Sequence, residues 1–317
     1  MKALIRRLLA AIPTVLIASL VIFGLQSLIP GGPGAALVGP DATPEAMDAI
    51  NQRLGLNNPF FVRYWDWLWS ALQGDLGRSY RTQQPVIELI GQRLEPTLQI
   101  AVVALIIAVV VGGTIGMWSA IRSDRLDGRI LLALSGAGLA VPNFWMAALS
   151  VGFFGLYLAV LPVGGFVSMQ DGFQGNIRSI LMPSIILSVH SSVLIGLQLR
   201  GSMIATLRST HVRTARAVGL PPRTIYFNYA LRASLSPVIT YLPLVFASLV
   251  GASTVVETVF NIPGLGLAIV QAINSRDYPT LQGIVLALVL AVVVLNVVAD
   301  AVLIIVDPRL RHRMEAN

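Results

Sequence analysis

Residues 97–121 read TLQIAVVALIIAVVVGGTIGMWSAI, an uncharged run from Thr97 to Ile121. About 20 apolar residues in a helix cross the roughly 30 Å of a bilayer's hydrocarbon. The run is too long for a buried strand, so it reads as a membrane-spanning helix. Working outward, Leu8–Ile29, Ile130–Leu161, Ile180–Leu199, Val238–Phe260 and Leu281–Val306 have the same character, giving six segments. The whole chain agrees. Of 317 residues 55% are hydrophobic and 12% charged, and the mean hydropathy is +0.76. Soluble domains carry about a quarter charged residues, and no soluble core of this size hides so much apolar surface. The expected class is an all-α membrane protein with six transmembrane helices. Lys2, Arg6 and Arg7 precede the first segment. Its apolar run exceeds a signal-peptide core and no small-residue cleavage site follows, so it is expected to be a retained span.

Cationic residues set the orientation, because short cytoplasmic loops collect Lys and Arg. Of the 22, fifteen lie in the N-terminal tail, the 122–129 loop, the 200–237 loop and the C-terminal tail, and seven in the loops on the other side. Both termini are therefore expected in the cytoplasm. The chain divides into residues 1–29 (tail and first span), 30–96 (extracytoplasmic loop), 97–306 (five-span core holding the cytoplasmic loop 200–237) and 307–317 (cytoplasmic tail). A pI near 10.4 follows from this topology, and nucleic acid is not an expected partner; the lipid bilayer is.

The 30–96 loop is long enough for short helices of its own. Thr43-Pro44-Glu45 is a capping signal and Gly55 a stop. Asn58-Pro59 opens a second helix bearing Phe60, Phe61, Tyr64, Trp65, Trp67 and Trp69, aromatics suited to the headgroup region. It reads as an interfacial lid or as a docking surface for an external partner. Pro85 opens a third, apolar at Val86, Ile87, Leu89, Ile90 and Leu94.

Chemistry-bearing residues are sparse. Cysteine is absent, which removes disulfides, thiolate nucleophiles and zinc–thiolate sites. His190, His211 and His312 lack metal-ligand spacing, so no metal is expected. Lys2 is the single lysine, so no phosphate-binding loop with its Lys-Ser/Thr exists, and the chain cannot power transport by itself. The candidate pathway or interhelical polar residues are Asn143, His190, Gln198, Glu257, Asn296 and Asp300. An ionisable group inside a membrane faces protein or water, and for His190 and for Asp300, four residues after Asn296, an interhelical hydrogen bond is favoured. Pro142-Asn143 is expected to kink the third span. A secondary transporter needs more intramembrane ion sites, a channel needs a filter or pore ring, and a membrane enzyme needs clustered groups at one depth.

The 200–237 loop departs from a mere connector. Residues 200–232 hold six arginines and no acid. A short helix is predicted over 210–218, ended by Gly219 and Pro221-Pro222, with Arg213 and Arg216 on one face. A second helical stretch, Arg223–Leu235, is expected to lead back to the membrane and stop before Pro237. A rigid two-turn helix with arginines and small residues has the form of a knob for an acidic groove.

With these residues in view, the chain resembles the permease subunits of binding-protein-dependent ABC importers, in the dipeptide, oligopeptide and nickel branch. HVRTARAVGL at 211–220 and YALRASLSPVIT at 229–240 are similar to the cytoplasmic loop signature of that family, its Ala and Gly falling on Ala215 and Gly219. PGGPGAAL at 30–37, LGLNNPF at 54–60 and GDLGRSY at 74–80 resemble its first external region, and VVETVFNIPGLG at 255–266, SRDYPTLQG at 275–283 and VDPRLR at 306–311 its last third. Gly32, His211, Val218 and Ser234 stand where the family often has Asp, Tyr, Lys and Asn.

The resemblance implies the type I ABC importer permease fold in a bacterial inner membrane, and a non-catalytic, pore-forming role. The implied partners are a second homologous permease, expected to be a different chain, two ATPase subunits carrying ATP and Mg, and an external solute-binding protein. The implied ATPase-coupling loop is His211, Val212, Arg213, Thr214, Ala215, Arg216, Ala217, Gly219 and Leu220. Short peptides are the implied cargo, with nickel or another small solute as the alternative.

Overall fold

The computed structural model describes residues 2–27, 43–53 and 55–306. Among them there is no β-strand, only an isolated bridge between Arg78 and Pro85. The helices are α1 (Lys2–Ser27), α2 (Pro44–Arg53), α3 (Phe60–Leu72), α4 (Val86–Ile121), α5 (Leu126–Ala140), α6 (Asn143–Tyr157), α7 (Phe173–Leu207), α8 (Thr210–Ala217), α9 (Pro222–Val259), α10 (Leu265–Asn274) and α11 (Tyr278–Val306). The last turns of α6, Val151–Tyr157, and the first of α9, Ile225–Leu231, are π-wound.

Four described helices are long and apolar enough to cross a membrane, namely α4, α7, α9 and α11, and the bent pair α5–α6 makes a fifth if counted as one span. In α1 the described apolar stretch is Ile12–Gly24. PGGPGAAL at 30–37, the tail 307–317 with His312, and the side chain of Asp300 lie outside the described residues.

The centre of the bundle is the crossing of α4 and α7, and the sequence of α4 shows why they meet so closely. Ala101, Ala104, Ala108, Gly112 and Gly116 recur every three or four residues and are buried along one face. A Cβ built on Gly112 would stand 2.2 Å from the Ser192 carbonyl oxygen, and one on Gly116 2.5 Å from that of Gly196. Only hydrogen fits there. Along this stretch several large residues of α4 point outward, Ile106 being 57% and Val110 61% exposed, although Ile100 is buried. This inverts the pattern of a soluble helix. Lipid is as apolar as leucine, so close backbone packing, not burial of large side chains, joins helices in a bilayer.

Three expectations are corrected. The helix that begins after Pro85 does not end before the second span; it runs unbroken through Pro96 to Ile121, so α4 is 36 residues long. Likewise Pro237 and Pro243 lie inside α9 rather than beyond the end of a shorter cytoplasmic helix. In a bundle, neighbouring helices and small winding adjustments satisfy the carbonyls that proline frees, so proline is a weaker stop than in water. The third span, conversely, is broken and not merely kinked. Val141 and Pro142 are extended, and α5 and α6 meet at 90°. The helix ends at Tyr157 and not at Leu161.

Candidate functional site

On the side assigned to the cytoplasm, α8 is a two-turn helix held by its apolar face. Val212 and Ala215 are buried against Ile225, with Leu207, Leu220 and Tyr226 packed around them. His211, Arg213, Thr214, Arg216 and Ala217 are exposed. The C-terminus closes in a Schellman motif. The Gly219 N–H donates to the Arg216 carbonyl at 3.0 Å and the Leu220 N–H to that of Ala215 at 3.2 Å. Gly219 has φ +82°, the left-handed conformation this motif requires and glycine adopts without strain. Leu220 then folds onto the same cluster as Ala215, which is the apolar contact that accompanies the motif. A hydroxyl contact between Thr206 and the fully buried Ser234, 3.2 Å, ties the end of α7 to the start of α9 beneath this seat. So α8 is fixed to both long helices while its arginines face outward.

At mid-membrane the α5–α6 break leaves carbonyls without their helical donors. That of Leu139 would have accepted from the Asn143 N–H in an unbroken helix. His190, on α7, supplies the replacement, its Nε2 lying 3.2 Å from the Leu139 oxygen. A carbonyl only accepts, so Nε2 carries the proton. His190 Nδ1 and Asn143 Oδ1 are both buried and have no hydrogen-bond partner among the described residues. Gln198 is exposed two turns further along α7. Asn296 is exposed, its Nδ2 donating to Val292 of its own helix at 3.0 Å, and it makes no interhelical bond among the described residues.

The half of the bundle opposite α8, assigned to the external side, holds two buried carboxyl groups. Glu257, fully buried near the end of α9, accepts from the Thr97 hydroxyl on α4 at 2.8 Å and from the Ser253 hydroxyl at 3.0 Å. Its second oxygen accepts the Leu267 N–H at 2.9 Å, and Thr97 Oγ1 itself accepts the Leu265 N–H at 2.8 Å. Those N–H groups belong to the first turn of α10, which has no helical acceptors for them. The pattern explains the spacing of NIPGLG at 261–266. A Cβ on Gly264 would be 2.5 Å from the Glu257 carboxyl carbon, and one on Gly266 2.5 Å from the Thr254 Cα. Asp277 does the corresponding work for the external loop. The Ser79 and Thr280 hydroxyls donate to its Oδ2 and the Tyr80 N–H to its Oδ1 at 3.0 Å. Burial, and next the Asp277 charge, push the Tyr80 phenol up from its ordinary pKa.

Sequence reasoning singled out Glu257 but not Thr97, Ser79 or Asp277. The latter two sit inside the quoted stretches GDLGRSY and SRDYPTLQG, where a lone acid beside a predicted helix start was the available signal. The aromatic helix α3 packs on α1: Phe23, Tyr64 and Leu68 form a buried cluster with Phe60 and Trp67. Trp65 and Trp69 point away from it, exposed.

Comparison with known proteins identifies the family and supports the fold. Residues 112–312 match the family described as binding-protein-dependent transport system inner membrane component, and residues 1–101 match the N-terminal membrane component of the same systems. The "Probable peptide ABC transporter permease protein y4tP" of Sinorhizobium fredii is 35% identical over 98% of this chain and 99% of its own length. The glutathione transport system permease protein GsiC of Escherichia coli is 32% identical over 98% of each. Among solved structures, an inward-facing MetNI methionine ABC transporter chain superposes with a TM-score of 0.57 at 16% identity, covering 69% of this chain and 96% of that one. At that identity the likeness is one of fold, the type I importer permease fold. The chain belongs to the binding-protein-dependent transport system inner membrane component family, as a multi-pass permease of the inner membrane.

Proposed function

We propose that the chain forms half of the translocation pathway of an ATP-driven importer of short peptides. The named relatives, which carry peptides or glutathione, support the cargo. With α1, α4, the broken pair α5–α6, α7, α9 and α11 counted as six spans, both termini lie in the cytoplasm in this reading, which the arginine distribution supports. A second, different permease completes the pathway. Two ATPase subunits bind ATP and Mg beneath it, and an external solute-binding protein delivers the cargo. This chain performs no catalysis of its own.

The observation that carries the reading is α8. Its apolar face is seated on α7 and α9, its end is fixed by the Gly219 cap, and Arg213 and Arg216 are turned outward. An acidic groove on an ATPase subunit suits those charges. When two ATPases close, a knob locked to two long helices transmits the movement and biases the bundle between two arrangements.

The test is made on the assembled transporter. Gly219→Val places a β-branched residue at φ +82°, a strain of about 1–3 kcal/mol that misdirects α8. Arg216→Glu reverses a charge at the proposed contact. Both variants are expected to insert normally yet lose stimulation of ATP hydrolysis by cargo-loaded binding protein, whereas Arg223→Glu, exposed beyond the double proline, keeps it. Normal stimulation in the first two would reduce the loop to a topology signal.

A further inference from the structure

Behind the external loop lies a cleft of about 300 Å³, bounded by residues 79–82, the outer end of α4, α10 and the start of α11. Two guanidinium groups line it, Arg81 and Arg93, together with Thr82, Gln271 and Ser275. Arg81 is exposed at the mouth. Arg93 is deeper, and its Nη1 is buried with no hydrogen-bond partner among the described residues. Arginine cannot shed its charge, and a buried charged donor left unpaired is among the costlier arrangements in a protein.

Glu257 lies close enough for its charge to act on Arg93, but neither neighbouring acid gives the guanidinium a hydrogen bond among the described residues. Asp277, on the cleft wall, has its oxygens taken by Ser79, Thr280 and the Tyr80 N–H. Thr97, one turn from Arg93 on α4, already holds Glu257, whose other oxygen is bonded to Leu267. Neither acid forms an ion pair with Arg81 or Arg93 among the described residues. Leu89, Ala268 and Ala272 give the cleft an apolar floor, which strengthens any charge-assisted hydrogen bond made there.

Two guanidinium groups in one cleft suit an anion with two acceptor oxygens. We infer that the cleft receives a carboxylate, the free C-terminus of the cargo peptide, held by Arg93 and Arg81 as it leaves the binding protein. A guanidinium fork matches a carboxylate bidentately. The inference rests on the peptide reading above and adds to it an entry subsite, and with it a preference for peptides with an unblocked C-terminus.

Two measurements test it. In the first, the thermal midpoint of the purified full chain is recorded with trialanine, with trialanine amide and with sodium chloride at equal ionic strength. Trialanine is expected to raise the midpoint and the amide to leave it unchanged. Arg93→Gln and Arg81→Gln should each erase the difference. Equal behaviour of acid and amide in the wild type, or a difference that survives both substitutions, overturns the subsite.

In the second, the assembled transporter is driven by binding protein loaded with either peptide. Arg93→Gln should lower the apparent affinity for the acid about tenfold, the worth of one charge-assisted hydrogen bond, and leave the amide unaffected. An equal loss for both would show that Arg93 does not read the carboxylate and would overturn the subsite while leaving the cargo assignment standing. If the wild-type assembly imports no peptide, the functional reading fails, and the midpoint measurement still decides the subsite.

Discussion

Thr97→Val isolates what the outer latch contributes. Thr97 is 1% exposed, and valine has nearly its shape, so no cavity opens. The hydroxyl makes two bonds, donating to Glu257 and accepting from the Leu265 N–H, both at 2.8 Å. The first is an interhelical side-chain bond, and such bonds contribute about 0.6 kcal/mol on average in membrane proteins. Glu257 also keeps its Ser253 donor. The second loss is larger. The Leu265 N–H is buried at the first turn of α10, where no helical carbonyl can replace the hydroxyl, and an orphaned buried donor costs about 1–3 kcal/mol. The expected destabilisation is therefore about 2–3 kcal/mol, mostly from the backbone group. Thr97→Ser keeps the hydroxyl and loses one methyl group, about 0.8 kcal/mol. Denaturant titration of the purified chain in mixed micelles, followed by helix content, measures both. A valine variant within about 0.5 kcal/mol of wild type, or a serine variant equally damaged, would refute the latch.

Three further outcomes are expected. The chain has no cysteine, so Gln73→Cys and Ala217→Cys give clean labels: an impermeant thiol reagent should reach the first from outside and the second only after permeabilisation, and the reverse pattern would sink the orientation. Gly112→Ala drives a methyl group to 2.2 Å from the Ser192 carbonyl oxygen, so α4 and α7 must part; loss of a monodisperse, protease-resistant chain is expected, whereas Gly113→Ala, with open space around it, should behave as wild type. The Tyr80 phenol is raised by burial and by Asp277, so its contribution to stability is complete below the ordinary tyrosine pKa of about 10 and is lost as pH rises through the raised value. Tyr80→Phe should flatten that alkaline loss, and an unchanged pH profile would show the phenol to be uninvolved.

What could be read from the sequence depended on how local its cause was. The apolar runs are visible because bilayer thickness imposes a length on each of them, and α8 because its stop is written in Gly219 and the double proline. That the helices run on through Pro96 and Pro237 is illegible for the opposite reason. Proline ends a helix in water, and whether it does so in a bundle depends on which neighbours lie against it. The break at Pro142-Asn143 has the same cause, since its 90° turn relies on His190 of α7 to satisfy the Leu139 carbonyl, 51 residues away in sequence. The carboxyl latches were the least legible. Glu257 is one acid in an apolar stretch, and nothing nearby in sequence announces that Thr97, 160 residues earlier, is its partner. Ser79 and Asp277 are 198 residues apart.

These long-range bonds bear on how a movement at α8 can reach the far side of the membrane. At 1.5 Å per residue the 35 residues of α7 span about 52 Å and the 38 of α9 about 57 Å. Both begin or end beside α8 and reach the opposite end of the bundle. At that far end α9 is locked to α4 and α10 through Glu257. The turn after α9 is locked in turn to the 162–167 loop before α7, where the Gly165 N–H donates to the Phe260 carbonyl at 2.8 Å. Between the ends, α7 and α4 touch backbone to backbone at Gly112 and Gly116. A body pinned at both ends and closely packed at its centre has little room to bend, so under the proposed coupling a push on the Arg213–Arg216 face would tilt α4, α7 and α9 together. The α5–α6 pair is joined to this body by the His190 contact and by Ala147, Met146 and Val151 in the central cluster, and the rest of its surface is largely exposed; its bend makes it the part best placed to change its angle. The break would then be where the tilt becomes a change in the pathway. Strengthening the outer latch should leave coupling intact, whereas Pro142→Ala, which restores a backbone donor and favours a straight helix, should uncouple ATP hydrolysis from uptake.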